Sequence, residues 1–576
     1  MPPYRIVHQG EDRGLAPTFE EGKGQAEVEE GAKVTLEETR YPFAGARNPI
    51  VKFGVVDATE GGEGGNVTWF DLSRQFGDDF YLAKVEWLPA AVGSSEDSTR
   101  LVVQVLDRRQ QKLAILLLDC ATGDMTTLHV ETAIEGAWVN LNDAFRVLSN
   151  PNSEKFRFLW ASERDGYRHL YVLEASLADG GSANTNGAKV IQRLTGPGEF
   201  ICEEVLDVDE ESGVIYYMGT EPNRWLERHL FRVQLGDLGT NKVTPPECLT
   251  GSVSGQHSCV LDLRSGLVFD VVSSTTQAPV ASIHELPAIG EAAGTSEIRQ
   301  LYDAAVDPRL VAYGDALKPP EFHTFPSTDG KVTLQAALYL PDEETYGKGP
   351  YPLVVATYGG PHVQYVQDTW GMMTVDMRSQ YLRANGFAVI KVDNRGSNRR
   401  GIVFEMPVYL NMGELEVADQ AAGVAWAINQ GIADKERVAV SGWSYGGYMA
   451  LKCLMDKPDV FHSAISGAPV TDWALYDTAY TERYMGLPQE NPDGYAKASA
   501  LANVAKIQGS LLLCHGLLDE NVLFRQSAVL VNALIEHQKV YDLALFPSER
   551  HGPRRQQDRA YLEERILAFL QRTLGV

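Results

Sequence analysis

The sequence predicts two domains: an all-β N-terminal domain of β-propeller type over residues 1–318, and a doubly wound α/β domain with a mostly parallel sheet over residues 319–576. Three observations carry this. A chain of 576 residues exceeds what one hydrophobic core usually serves. Up to about residue 318 the apolar residues fall in short runs punctuated by polar turns, without sustained helical periodicity. Beyond that point continuous apolar runs alternate with stretches of helical spacing.

Taken in order, residues 24–38 are rich in Gly, Glu and Lys and read as an exposed loop. In "FRFLWASERDGYRHLYVLE" (156–174) two apolar runs flank Asp165-Gly166, a dipeptide suited to a tight hairpin turn. Residues 213–235 repeat that design with a longer loop, and "RHLY" (168–171) returns as "RHLF" (228–231). Repeated small antiparallel sheets point to propeller blades of about 40–50 residues. In the second half, "YPLVVATY" (351–358), "GFAVIKVD" (386–393), "RVAVSG" (437–442), "SLLLCHG" (510–516) and "YDLALFP" (541–547) read as buried strands. Residues 415–430 have helical spacing, and 556–574 close the domain as an amphipathic helix.

Composition narrows the function. Apolar residues at 44% and charged residues at 22% are the balance of a soluble globular protein. Asp and Glu number 77 against 51 Lys and Arg, a net charge of −26 that repels phosphate backbones and anionic membrane surfaces. No nucleic-acid partner is expected. The opening "MPPYRIVHQGEDRG" has no basic segment followed by an apolar run, and no stretch approaches the roughly eighteen apolar residues of a membrane span. The six cysteines, Cys120, Cys202, Cys248, Cys259, Cys453 and Cys514, form no C-x-x-C pair and read as reduced, buried thiols, which predicts a cytoplasmic location.

Gly442-Trp443-Ser444-Tyr445-Gly446 fits G-x-S-x-G between a strand and a helical run. A very tight turn there needs glycine on either side, and it sets Ser444 at the carboxyl edge of the sheet over a helix N-terminus that favours a developing oxyanion. A serine nucleophile needs a base, and the base a carboxylate. In the α/β-hydrolase fold the order is Ser, acid, His. Asp519, on the loop after a buried strand, is the acid; adjacent Glu520 points elsewhere. Asp472 and Asp477, which interrupt an aromatic stripe, and Asp393, which precedes the serine, are alternatives. His551, in the loop "PSERHG", is the base, whereas His462 and His537 are poorly placed and His515 is structural. One oxyanion donor is the Tyr445 amide; the second comes from Tyr358-Gly359-Gly360, as a backbone amide or as the Tyr358 phenol. This chemistry requires neither a metal nor an organic cofactor.

Trp473, Tyr476, Tyr480 and Tyr484 are spaced three, four and four apart and share one face of an expected helix. Such a stripe serves either core or cleft. A flat aromatic cleft suits a proline ring, which has no N–H to satisfy, and so points to peptide substrates cut at proline.

At these residues the chain resembles the prolyl oligopeptidase family and, within it, the dipeptidyl peptidase IV group, with the cytosolic dipeptidyl peptidase 8 and 9 branch most similar. The matching stretches are "YGGPHVQ", "DNRGS", "MGELEVADQ", "GWSYGGY", "GAPVTDW", "YTERYMG", "HGLLDENV" and "PSERHG", with fainter likeness in "AWVNLNDAF", "YRHLYV" and "HSC". The resemblance implies a propeller capping an α/β-hydrolase, release of N-terminal dipeptides after a penultimate proline or alanine, and a homodimer. It matches Ser444, Asp519 and His551 to the triad, and the Tyr358 hydroxyl and Tyr445 amide to the oxyanion site. Tyr445, Val470, Trp473, Tyr476, Tyr480 and Val522 match the proline pocket, and Asn521 the residue that holds the substrate's second carbonyl.

One departure enters with it. The family anchors the substrate amine on a glutamate pair in its propeller, and this chain is expected to begin just after that segment, with an incomplete propeller. Glu203-Glu204 is an acidic pair, but its surroundings match a later strand. The leading expectation is therefore a serine dipeptidyl peptidase. An oligopeptidase or acylaminoacyl peptidase, and a catalytically impaired propeller that serves binding, are the rivals.

Overall fold

The computed structural model describes residues 4–7, 36–56, 65–88, 99–150, 155–177, 187–236, 238, 243 and 245–575. The C-terminal part is built on one eight-stranded sheet: β1 (Glu321–Pro326), β2 (Thr333–Tyr339), β3 (Tyr351–Ala356), β4 (Ala388–Asp393), β5 (Ala433–Trp443), β6 (Ser463–Gly467), β7 (Ser510–Gly516) and β8 (Asp542–Phe546). Its order is β1-β2-β4-β3-β5-β6-β7-β8; β2 runs antiparallel to both neighbours and the rest are parallel.

The continuous apolar runs are explained by burial on both faces. In β3, Leu353 and Val355 enter one hydrophobic cluster and Val354 the other; Val438 and Val440 of β5 oppose Ala439 in the same way. Helices α1 (Leu415–Asn429), α2 (Tyr445–Asp456), α3 (Thr478–Met485), α4 (Arg525–Glu536) and α5 (Gln556–Leu574) surround the sheet. The amphipathic reading of α5 holds: Leu562, Ile566, Phe569, Leu570 and Leu574 are its buried residues.

The N-terminal part is all-β. Four four-stranded antiparallel meanders follow one another, opening at Phe80, Arg146, Ile201 and Gln256, after two two-stranded ladders. Successive meanders pack face to face through shared apolar clusters, the arrangement of propeller blades. The short repeat has a structural cause. His169 and His229 each open a third strand, and their Nδ1 atoms each meet a threonine hydroxyl at 3.1 Å, Thr195 and Thr250. The same hydroxyls accept the amides of Leu170 and Leu230.

Two local expectations change. The hairpin at 155–176 closes from Ser162 to His169 over a six-residue loop, and Gly166 alone of the Asp165-Gly166 dipeptide has positive φ. Asp165 instead accepts the Tyr171 hydroxyl at 2.6 Å. The loop expected over 24–38 lies outside the described residues as far as 35, and its end belongs to a strand, Leu36–Thr39, paired with Tyr4–Val7.

Candidate active site

Ser444 sits where β5 gives way to α2, with φ 61° and ψ −118°, a backbone conformation that an L-residue adopts only under close packing. The packing is visible in the glycines. A Cβ on Gly442 would stand 2.2 Å from the Gly446 carbonyl oxygen, and one on Gly446 would stand 2.3 Å from that of Thr357. As the first residue of α2, Tyr445 has an amide without an intrahelical acceptor.

Asp519, on the turn after β7, is fully buried and held from several sides. Its Oδ1 accepts the amides of Asn521 at 3.0 Å and Val522 at 2.9 Å, and its Oδ2 meets His551 Nδ1 at 2.8 Å. Behind it, His515 Nε2 lies 3.2 Å from Oδ2 and 2.9 Å from the Val522 carbonyl, while its Nδ1 faces the Ser527 hydroxyl at 2.7 Å. Burial opposes ionisation of Asp519, but the hydrogen bonds and charge of the two imidazoles outweigh it and hold the carboxyl below its usual range. With Nδ1 committed to the acid, His551 carries its lone pair on Nε2. The Trp443 indole donates to the His551 backbone carbonyl, which ties the base's loop to the residue before the serine. Among the described residues no hydrogen bond closes from Ser444 Oγ to the imidazole.

The alternatives have other work. Asp472 and Asp477 cap helical turns, accepting the amides of Ala474 and Tyr480 at 2.9 Å. Asp393 accepts the amides of Tyr365 and Val366, and burial pushes its carboxyl up to about 7. Glu520 pairs with Arg550 at 3.0 Å. His462 precedes β6 at the amino edge of the sheet, and His537 ends α4.

Tyr358 follows β3, and its ring lies 6.1 Å from that of Tyr445. Gly360 permits this approach: a Cβ there would stand 2.7 Å from the Tyr445 ring. Burial raises the Tyr358 phenol above its usual value, so it stays a proton donor through neutral pH. The Tyr445 phenol is turned away to Glu416 Oε1 at 2.8 Å.

Tyr445, Val470, Trp473, Tyr476 and Val522 belong to one buried apolar cluster, with Tyr358 and Tyr480 packed against it. Trp473 stacks on Tyr480 at 6.1 Å, and Tyr476 meets Tyr480 edge-on at 5.6 Å. The single helix expected to carry this stripe is not formed. Trp473–Leu475 is a 3₁₀ turn, Tyr476 is extended, and α3 begins only at Thr478, because Asp472 and Asp477 each start a new turn. The rings converge all the same. The Tyr480 and Tyr484 hydroxyls and the Trp473 indole nitrogen are buried without a hydrogen-bond partner among the described residues. Asn521 is exposed, and its Oδ1 accepts the Tyr476 hydroxyl at 2.8 Å.

Glu203 and Glu204 are already engaged. Glu203 takes Arg399 at 2.6 Å and Arg228 at 2.9 Å, and Arg228 reaches Glu204 at 3.0 Å. Sequence reasoning missed Tyr41, Trp443 and Glu416 as parts of the site. The first lies 480 residues from its partner Asn521, and no local pattern marks such a contact.

Comparison with known proteins gives the relatives of this fold. Residues 373–576 match the model of the prolyl oligopeptidase family, and residues 20–279 that of the dipeptidyl peptidase IV N-terminal region. Dipeptidyl peptidase 8 of Homo sapiens is 32% identical over 93% of this chain and 62% of its own length; that of Mus musculus is 31% identical over 93% and 63%. A probable dipeptidyl-aminopeptidase B of Aspergillus fumigatus is 29% identical over 90% of this chain and 53% of its own. The chain thus spans less than two thirds of the length of these relatives. The crystal structure of Porphyromonas gingivalis dipeptidyl peptidase 4 shares the fold, with a TM-score of 0.80 at 24% identity over 100% of this chain and 71% of that one. The chain carries a prolyl oligopeptidase family domain over residues 373–576 and a dipeptidyl peptidase IV N-terminal region over residues 20–279.

Proposed function

We propose that the chain is a serine peptidase that releases N-terminal dipeptides from peptides with proline or alanine in the second position. His551 Nε2 takes the proton of Ser444 as Oγ attacks the carbonyl after that residue. The Tyr445 amide and the Tyr358 phenol receive the oxyanion, and His551 returns the proton to the departing amine. Water, deprotonated by the same imidazole, then cleaves the acyl-enzyme. The single observation that carries this reading is Ser444 held at φ 61° between packed glycines, next to Trp443, whose indole ties down the loop of a base with one nitrogen fixed 2.8 Å from a buried acid. The aromatic wall supports proline at the scissile residue. Six unpaired cysteines, four of them buried, support the cytoplasmic placement we propose with it.

A second reading is favoured by one observation: the carboxylates of Glu203 and Glu204 are occupied by arginines, so that pair offers no anchor for a substrate amine. An enzyme of this build would take blocked or longer peptides. The test compares hydrolysis of Gly-Pro-coumarin with its N-acetylated analogue, with Ser444→Ala as control. Preference for the free amine supports the dipeptidyl peptidase; preference for the blocked substrate supports the second reading. If neither is cleaved and a serine-directed phosphonate fails to label the protein, both fall.

A further inference from the structure

A segment near the start of the chain lies against the catalytic loop. Tyr41 donates its hydroxyl to the Asn521 carbonyl at 2.9 Å, and its ring packs 6.4 Å from Tyr476 and 5.2 Å from Phe43. Phe43 bridges to Asp477 as a strand partner, the Ala44 amide donates to the Tyr476 carbonyl at 2.9 Å, and the Thr478 amide to that of Pro42 at 2.8 Å. One short stretch therefore grips both the aromatic wall and the turn that carries the acid.

What it grips is the donor set of residue 521. The Asn521 amide N–H orients Asp519 Oδ1, and the Asn521 side-chain oxygen accepts the Tyr476 hydroxyl. With Oδ1 occupied by a donor, the amide group is fixed in one sense, and Nδ2 is left to donate outward. Two phenols, Tyr41 on the carbonyl and Tyr476 on the side chain, thus hold this exposed residue at the aromatic wall. Neither touches the reacting atoms.

We infer that Tyr41 is a positioning residue for the acyl half of the substrate: it holds Asn521 so that Nδ2 donates to the carbonyl of the residue that precedes the proline. The inference rests on the dipeptidyl peptidase reading above. It divides ligands by chemistry, since those with a carbonyl at that position gain from Tyr41 and those without it do not.

The experiment compares wild type and Tyr41→Phe in two assays: turnover of Gly-Pro-coumarin, and inhibition by Gly-boroproline against boroproline, which lacks the second carbonyl. Loss of one positioned hydrogen bond predicts a rise in KM of about five- to tenfold with kcat changed less than about twofold, and an equal loss for Gly-boroproline with boroproline unaffected. In an Asn521→Ala background, Tyr41→Phe should add nothing. Equal weakening of both boronates, a fall in kcat without a rise in KM, additive losses, or no change would each overturn the inference while the enzyme reading stands. A wild type that cleaves no Gly-Pro substrate overturns both. Thermal unfolding of the variant, which keeps the ring, separates a misfolded chain from a mispositioned asparagine.

Discussion

His551 and His257 each hold a carboxylate through Nδ1 at nearly the same distance. His551 Nδ1 lies 2.8 Å from Asp519, and His257 Nδ1 lies 2.7 Å from Asp270 in the last N-terminal meander, beside a cavity of about 560 Å³. The second pair even has a potential nucleophile, since the Cys259 thiol reaches Asp270 Oδ1 at 3.4 Å. The difference lies in what remains uncommitted. His257 Nε2 is 3.0 Å from the Val253 carbonyl, so both of its nitrogens already face acceptors and neither is turned to a hydroxyl or thiol. Burial, reinforced by Asp270, pushes the Cys259 thiol far up, away from the reactive thiolate. His551 keeps Nε2 open beside a strained strand-to-helix turn. An imidazole–carboxylate pair is therefore a common structural unit, and in the proposed mechanism the turn next to it sets the His551 pair apart.

The largest effect should fall on that contrast. Asp519→Asn is expected to lower kcat about 10³- to 10⁴-fold with little change in KM, because the imidazole loses its tautomer and the partner of its charged form. Asp270→Asn should leave kcat/KM within about twofold and instead cost roughly 1–3 kcal/mol of stability in urea unfolding, as a buried hydrogen-bonded group is disturbed. Comparable loss of turnover in both variants would break the comparison.

The two tyrosines proposed for the oxyanion site divide in the same manner. The Tyr358 ring packs 6.1 Å from that of Tyr445, whose amide opens α2 while its phenol serves Glu416. Tyr358→Phe should lower kcat about 10²- to 10³-fold, the usual cost of one oxyanion donor. Tyr445→Phe should change kcat far less and destabilise the fold, since it takes the phenol donor from the buried Glu416 Oε1, which keeps the Gly413 amide. Steady-state kinetics on both variants decides it, and a reversed order would mean that the phenols have been assigned the wrong way round.

The catalytic half was legible because its signals are local. Strand, glycine, serine, glycine and helix fall within a dozen residues, and the clash that demands Gly442 and Gly446 is with backbone nearby in space. Acid and base were reachable because the α/β-hydrolase order limits where each stands. The N-terminal half was legible in kind, as meanders with a recurrent histidine-to-threonine contact, and illegible in placement. Arg399 reaching Glu203, and Tyr41 reaching Asn521, are contacts between segments 196 and 480 residues apart, and no periodicity encodes them. The helix expected through Tyr476 failed for a local reason that outweighed the spacing: two aspartates that cap turns more favourably than they sit within a helix.

A smaller effect separates two buried carboxyls that meet different neighbours. Asp519, beside two imidazoles, has its folded value lowered, so its stabilisation is present above the unfolded carboxyl range and is lost as pH falls through it. Glu405 is the reverse. It lies where the two halves meet, with Asn140 Nδ2 donating to it at 3.0 Å and to Glu163 at 2.9 Å. Burial, and then the charge of Glu163, push Glu405 up to about 8. The folded form holds that proton more tightly than the unfolded chain, so between about pH 4.5 and 8 its contribution to stability should decline as pH rises. Glu405→Gln keeps the shape, accepts from Asn140 and removes the titration. The drop in melting temperature between pH 5 and pH 8 should therefore shrink in the variant, with activity at pH 7 nearly unchanged. An identical drop in wild type and variant would show that Glu405 is already ionised in the fold, and that the contact between the halves tolerates two carboxylates on one amide.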